Sequence, residues 1–334
     1  MPDIPDGEIH AAAARRALQH FPVDAGDMKF IRAGENLTYR VYARDGERSY
    51  VLRLHRPGYN ALSALNSERL WTNALLNDGI RAPQAICSLT GENYVSVTIP
   101  EAAETRWAGL SLWVKGDLLS SHLDSEQTPL ETCTSYLFAL GALIGAIHCQ
   151  ASSWTPPRGF SRHRLDADAL IGGQPLWGPF WKHQALSAPE RALLERTRDT
   201  IHKALLKYGE PESTFTLIHG DPHAQNVIVA AEGLTLIDFD DAAFGWHQYD
   251  LAVALQPYAG TPRFDAFHDA LIKGYRSRRR ISDRDLSLVP MFVLARQLAQ
   301  IGWSHTRPEL GTPVWFERVK AQACKAAHTF VPPF

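Results

Sequence analysis

The segment Leu217-Ile218-His219-Gly220-Asp221-Pro222-His223-Ala224-Gln225-Asn226-Val227-Ile228-Val229 sets a polar loop between two apolar, strand-like pieces. Within it, four residues separate Asp221 from Asn226. About a dozen residues further on, Leu236-Ile237 runs into Asp238-Phe239-Asp240-Asp241 and brings another carboxylate to a strand end. Phosphoryl transfer needs such a set. One carboxylate orients an acceptor hydroxyl and takes its proton, while an amide oxygen and a second carboxylate hold magnesium on the phosphates. Magnesium takes hard oxygen ligands and usually only one or two carboxylates. The order and spacing point to Asp221 as base and to Asn226 and Asp238 as magnesium ligands. Each residue alone has an ordinary reading, since a loop Asp is commonly a turn or cap residue. The joint pattern carries the chemistry.

The elements that must position these residues fall into two groups. Residues 9–21 read as a leading helix. Short β-prone runs follow at 29–32 and 38–43, with a turn signal at 33–37 between them. Asp45-Gly46-Glu47-Arg48 is a second turn, and 49–55 is a clear strand. A helix at 64–77 comes next, then strands at 94–99 and 110–114. From about residue 116 the pattern turns helical, notably at 134–150 and 188–208. Strands at 215–218 and 235–237 flank the polar loops, and the chain beyond 249 is again mostly helix. Residues 154–181, rich in Pro, Gly and Trp, read as a long irregular insertion. The expected fold class is α+β: a small antiparallel sheet with one main helix in residues 1–115, then a larger, mostly helical part in residues 116–334.

A chain of 334 residues is long enough for two such parts. Its 45% hydrophobic and 21% charged residues are those of an ordinary globular protein. The net charge of −2 gives no electrostatic case for a nucleic-acid partner. Cys87, Cys133, Cys149 and Cys324 are far apart, form no zinc-like cluster, and read as reduced thiols. Residues 1–8 are polar and acidic and lack the pattern of a secretory leader. The longest apolar run, 136–148, is about half a membrane span. The expectation is a cytoplasmic protein with neither nucleic-acid nor membrane partner; its oligomeric state is silent in the sequence.

The His-Gly-Asp loop followed by Asn226, and the Ile237-Asp238-Phe239-Asp240-Asp241 strand end, resemble the aminoglycoside phosphotransferase and choline kinase superfamily, which has a bilobal protein-kinase-like fold. Asp250-Leu251-Ala252 resembles that family's Asp-Leu-Ala helix start. The likeness runs from about Phe30 to Trp303. It looks closest to the branch holding bacterial stress-response kinases and type II homoserine-kinase-like proteins, to which Leu294-Ala295-Arg296-Gln297-Leu298 with Trp303 is also similar. The resemblance implies ATP and Mg2+ as nucleotide and metal, with residues 34–41, including Gly34 and Asn36, as a hairpin over the phosphates. Arg53 stands where the family usually carries a phosphate-binding lysine. Either it binds phosphate with its planar fork, paired with Glu68, or nucleotide affinity is compromised. Backbone groups at Trp113 and Val114 would meet adenine. His219 would support the loop. Asp240 would either help hold magnesium or orient its own turn.

Only the eleven residues 239–249 separate Asp238 from Asp250. That leaves little room for a peptide-binding platform and favours a small hydroxyl-bearing acceptor: an amino alcohol, amino acid, sugar or aminoglycoside-like molecule. Trp177, Phe180, Trp181 and Trp246 could line its pocket or simply pack the core. Two other readings stand beside this one, a protein Ser/Thr kinase of the stress-response type and a nucleotide-binding pseudokinase.

Overall fold

The computed structural model describes residues 7–333. The chain divides into two compact units. The first takes residues up to Gly116 together with Pro156–Ser161 and Thr235–Asp240; the second takes the remainder. The sequence places 156–161 and 235–240 in the larger part, whereas in space they cluster with the smaller one. Asp238 and Asp240 therefore belong to the sheet-bearing unit.

The first unit contains helices α1 (Gly7–Leu18) and α2 (Leu62–Asn77). Its strands are β1 (Ala25–Ala33), β2 (Leu37–Ala43), β3 (Ser49–Leu54), β4 (Ala85–Ile86), β5 (Tyr94–Ile99) and β6 (Glu104–Leu112). The sheet runs β1-β2-β3-β6-β4, with β5 also on β6, and every pairing is antiparallel. Strand β6 starts earlier and ends sooner than 110–114, because its first half pairs with β5 over Glu104 to Gly109. Alternation along the strands builds the core: Leu37, Tyr39 and Val41 of β2 and Tyr50, Leu52 and Leu54 of β3 are buried. That face packs on Ala13, Ala14, Ala17 and Leu18 of α1. The period of two turns Arg53 to the other face, where it pairs across the sheet with Thr38 and Gly109. Gly109 is required there, since an added Cβ would lie 2.5 Å from the Tyr94 ring.

The second unit contains α3 (Leu119–Leu123), α4 (Leu130–Ser153), α5 (Ala167–Ile171), α6 (Ala188–Tyr208), α7 (His247–Leu255), α8 (Phe264–Arg276), α9 (Asp283–Leu286), α10 (Val289–Thr306) and α11 (Pro313–Thr329). Its strands are β7 (Asp117–Leu118), β8 (His163–Arg164), β9 (Phe215–Ile218), β10 (Val227–Ala230) and β12 (Ala243–Trp246), while β11 (Gly233–Leu236) carries the chain across the unit boundary. Strand β12 lies antiparallel to β9 and parallel to β8. Helix α6 begins where the sequence places it, at a reciprocal Ser187/Glu190 capping box. The insertion at 154–181 is less irregular than expected. It folds into β8, α5 and the start of a 3-10 turn at Phe180–Lys182, anchored by buried Trp177 and Phe180.

Helix α4 corrects a second expectation. It is long and apolar enough, by length and composition, to cross a membrane, with a mean hydropathy of 1.5. The uninterrupted apolar run understates it because the helix continues through Thr, Cys and Ser residues at both ends. Its small residues serve close packing on α8. A Cβ on Gly141 would lie 2.0 Å from the Leu271 carbonyl oxygen, and one on Gly274 1.9 Å from that of Phe138. Gly274→Leu is therefore expected to cost about 3 kcal/mol or more through overpacking, read as a lowered urea midpoint at unchanged slope. The four cysteines are free thiols. Most of the acidic N-terminal stretch, residues 1–6, lies outside the described residues.

Candidate functional site

The polar loop of the second unit leaves β9 at Ile218 and passes through Gly220 at a φ of 81°. Only glycine fits there, since a Cβ would lie 2.3 Å from the Asp241 carbonyl oxygen. Asp250 near the start of α7 anchors the loop from beneath. Its carboxylate accepts the His219 backbone N–H at 2.9 Å and the Gly220 N–H at 2.8 Å. The loop N–H of Asp221 donates to His219 Nδ1 at 3.2 Å, the supporting role expected of that histidine.

Asp221 is thereby presented with donors on both oxygens. Oδ2 accepts from Asn226 Nδ2 at 3.0 Å and from His223 Nε2 at 3.2 Å. His223 Nδ1 accepts the Gln225 N–H at 3.2 Å, which fixes the tautomer with the proton on Nε2. Asn226 Nδ2 also donates to the Asp221 carbonyl at 3.0 Å. Oδ1 accepts from Arg296 Nη2 of α10. Burial pushes the Asp221 carboxyl up, but His223 and Arg296 outweigh it and hold the group well below the usual carboxylate range. Arg296 in turn donates to the Tyr249 hydroxyl at 3.4 Å and lies 5.7 Å from the Trp177 ring centroid. Trp177 stacks on Tyr249. Of the aromatic residues considered for an acceptor pocket, Trp177 is thus the one tied to the surroundings of Asp221. Trp246 packs on Phe215 and Phe292, Phe180 is buried against Trp181, and Trp181 carries Arg198 over its ring. Spacing does not point to Arg296, because it lies 75 positions beyond Asp221.

A buried polar chain continues below Asp250. His148 Nε2 of α4 donates to Asp250 Oδ2 at 3.0 Å, and His148 Nδ1 accepts from Tyr275 of α8 at 3.1 Å. His247 stacks on His148 with centroids 4.2 Å apart and shares a 2.8 Å hydrogen bond with Thr216. Burial, with help from Arg279, pushes both imidazoles well below the ordinary 6.5, so the folded core keeps them neutral. An unfolded chain protonates both below 6.5, so unfolding takes up protons and acid destabilises the fold by about 1.4 kcal/mol per pH unit per proton. Asp250 acts in the opposite sense: burial raises it from 3.8 to about 6, so between those values the folded state holds a proton the unfolded state lacks. Two histidines outweigh one carboxylate. His148→Gln is therefore expected to flatten the loss of stability as pH falls from 6.5 towards 3.8, read by urea unfolding at successive pH values.

The first unit carries the other half of the candidate residues. Asp238 follows β11 at a φ of 67°, a left-handed conformation that costs a non-glycine residue about 1–2 kcal/mol. The turn that follows buries Phe239 edge-on against Trp71 of α2, with ring centroids 5.6 Å apart. Arg53 Nη1 lies 3.0 Å from Asp238 Oδ1 and 3.7 Å from Asp240 Oδ1. These two carboxylates, rather than the expected Glu68, are its close partners, and Glu68 acts on Arg53 as a further nearby charge. Burial works against the Arg53 charge, but Asp238 and Asp240, with Glu68 behind them, hold it firmly protonated. Asp240 is the hub of this unit: it accepts from Asn36 Nδ2 on one carboxylate oxygen and from Asn60 Nδ2 on its carbonyl at 3.3 Å. His55 Nδ1 lies 4.0 Å away. These contacts favour the orienting role for Asp240. The Asn36 side chain is committed to this hub and to the Arg56 N–H at 3.2 Å. Gly34 opens the β1–β2 turn, where its N–H donates to the Asn36 carbonyl at 3.1 Å. The Trp113 N–H donates to the Ser49 carbonyl at 2.9 Å and its ring packs under Arg40, so that donor is used within the sheet edge. Val114 follows, half buried.

Among the described residues, no group of three or more His, Cys, Asp or Glu side chains could hold a metal by itself. The donor set suits a hard divalent cation that keeps waters and phosphate oxygens in its shell. In the second unit Asn226 turns its Nδ2 to Asp221, which leaves its amide oxygen free of that contact; in the first unit the Asp238 side chain is 35% exposed.

Residues 27–285 match the sequence model of a family described as the phosphotransferase enzyme family. Over 321 residues the chain is 29% identical to an uncharacterized protein of Deinococcus radiodurans, spanning 91% of this chain and 86% of that one. A solved microcompartment-associated aminopropanol kinase superposes with a TM-score of 0.81 at 28% identity, over 95% of each chain. Amicoumacin kinase hAmiN, solved with AMP-PNP, Ca2+ and Ami, shares the fold with a TM-score of 0.75 at 18% identity, over 98% of this chain and 96% of its own.

Proposed function

Because the chain belongs to the phosphotransferase enzyme family, and with it to the aminoglycoside phosphotransferase and choline kinase superfamily, we propose that it moves the γ-phosphoryl group of ATP to the hydroxyl of a small amino alcohol. The observation that carries this reading is the setting of Asp221. Three donors fix its carboxylate: Asn226 and His223 fill Oδ2, and Arg296 takes one side of Oδ1. The remaining lone pair of Oδ1 is where an acceptor hydroxyl would donate. A carboxylate in that position orients the hydroxyl and takes its proton as the oxygen attacks phosphorus. Held well below the usual carboxylate range, Asp221 stays ionised at neutral pH, and its contribution is chiefly orientation.

A divalent cation, when bound, neutralises charge on the phosphate oxygens. We assign Asn226 and Asp238 as its protein ligands and Mg2+ as the ion. Arg53, with Glu68 behind it, is assigned to hold Asp238 and to face the phosphates, and the hairpin from Gly34 to Asn36 to cover them. Backbone groups at Val114, with the Trp113 carbonyl, are assigned to adenine.

The small acceptor is supported by the segment after Asp238. All but Ala242 of its eleven residues are used by a 3-10 turn at Phe239–Asp241, by β12 on β9, and by the first residues of α7. One residue cannot form a peptide platform. The amino alcohol is supported by the likeness to an aminopropanol kinase at 28% identity. The test is ADP release with Mg-ATP across a panel of amino alcohols, hydroxy amino acids, sugars and aminoglycosides, run beside a protein-substrate mixture. Turnover of an amino alcohol is expected. No turnover of any panel member, with strong labelling of protein, would overturn the small-acceptor reading.

A further inference from the structure

We propose that Arg296 is the positioning residue of the reaction, holding the Asp221 carboxylate in one orientation so that the acceptor hydroxyl meets Oδ1. This rests on the reading of Asp221 as base. The arginine is itself fixed. It sits in mid-α10, whose neighbouring residues Phe292, Ala295 and Gln297 are buried. Its side chain is only 11% exposed, and that of Asp221 18%. The guanidinium forks: one nitrogen meets Asp221 and the other the Tyr249 hydroxyl, beside the Trp177 ring. Tyr249 immediately precedes Asp250, which anchors the loop amides of His219 and Gly220. The same stretch of α7 therefore fixes both the loop backbone and the arginine that fixes the loop's carboxylate.

The orientation has a chemical consequence. With Oδ2 filled by Asn226 and His223, Oδ1 is the oxygen left to meet the hydroxyl, and Arg296 lies beside it. A cation there stabilises negative charge on the attacking oxygen as its proton leaves. It also stabilises the ionised carboxylate. The groups facing Asp221 are His219 and His223 of its own loop, Tyr249 and Asp250 of α7, and Arg296 of α10, while Asp241 ahead of β12 acts on Tyr249 and Arg296. Arg296 is the permanent cation among them.

The test is kinetic. With Mg-ATP and aminopropanol, Arg296→Gln is expected to lower kcat about 100-fold while the KM for ATP changes less than about threefold. Arg296→Lys keeps the charge but not the fork, so it should restore part of the rate. An unchanged kcat in Arg296→Gln, or a lysine variant no better than glutamine, overturns the proposal by leaving Arg296 a packing residue. If Arg296→Gln does not fold, Arg296→Lys decides: a lowered kcat at unchanged ATP KM supports positioning, and a wild-type kcat overturns it. The base reading fails separately: full turnover by Asp221→Asn would sink it, whereas a dead Asp221→Asn beside an unaltered Arg296→Gln would sink only the arginine's role.

Discussion

Asp221→Asn is expected to lower phosphoryl transfer by about a thousandfold or more, with Mg-ATP binding changed less than about threefold. The substitution keeps shape and hydrogen-bonding capacity at Oδ1 but removes the charge that accepts a proton. It also leaves Arg296 without its carboxylate, which replaces an attraction by a buried cation facing a neutral amide. The loop backbone should survive, because Asp250 and the Gly220 turn hold it independently of the Asp221 side chain. Single-turnover rates and calorimetric titration with Mg-ATP separate the two effects. Retention of most activity would show that Asp221 is not the base.

The second large effect belongs to Arg53. Arg53→Met leaves Asp240, buried at its hub, without its guanidinium and frees Asp238 from a 3.0 Å partner. Removing one partner of a buried ion pair costs about 3–5 kcal/mol, so the urea midpoint should fall sharply. Mg-ATP affinity should fall with it. Burial raises the Asp240 carboxyl, but His55 and Arg53 outweigh it and hold it below 3.8. A depressed carboxyl contributes stability above the unfolded value that is lost as pH falls through the folded one. Without Arg53 the folded value rises, so the variant should also unfold at a higher pH on the acid side. Arg53→Lys should retain more of both properties, since an ammonium still neutralises charge, but a compact point charge does not span Asp238 and Asp240 as the planar fork does. A methionine variant with wild-type stability would contradict this account.

The candidate residues of the two units were legible in the sequence to different depths. Asp221, Asn226 and Asp238 stand at short spacings beside apolar strand pieces, so local pattern alone proposes them. The short stretch between Asp238 and Asp250 is equally local. Arg296 is a different case. Its helix is readable, but its meeting with Asp221 depends on how α10 packs on α7, and no periodicity states which helices become neighbours. The partner of Arg53 shows the same limit. The strand and the following helix were readable, and Glu68 was the natural counter-charge. The left-handed turn at Asp238, which brings Asp238 and Asp240 to the guanidinium, left no local mark beyond the residue types. The Gly141–Gly274 seam was hidden for a related reason: a glycine in a helical pattern signals close approach only once its partner is known. Helix α4 shows the converse error, in which counting uninterrupted apolar residues shortened a helix that polar residues extend at both ends.

The most direct measurement is 31P NMR of the protein incubated with Mg-ATP and aminopropanol. The γ-phosphorus is expected to leave ATP and reappear as a phosphomonoester of the amino alcohol in step with ADP. Asp221→Asn should leave the ATP resonances intact. Formation of inorganic phosphate alone, at the same rate with and without the alcohol and in both proteins, would contradict phosphoryl transfer to a small hydroxyl by this loop.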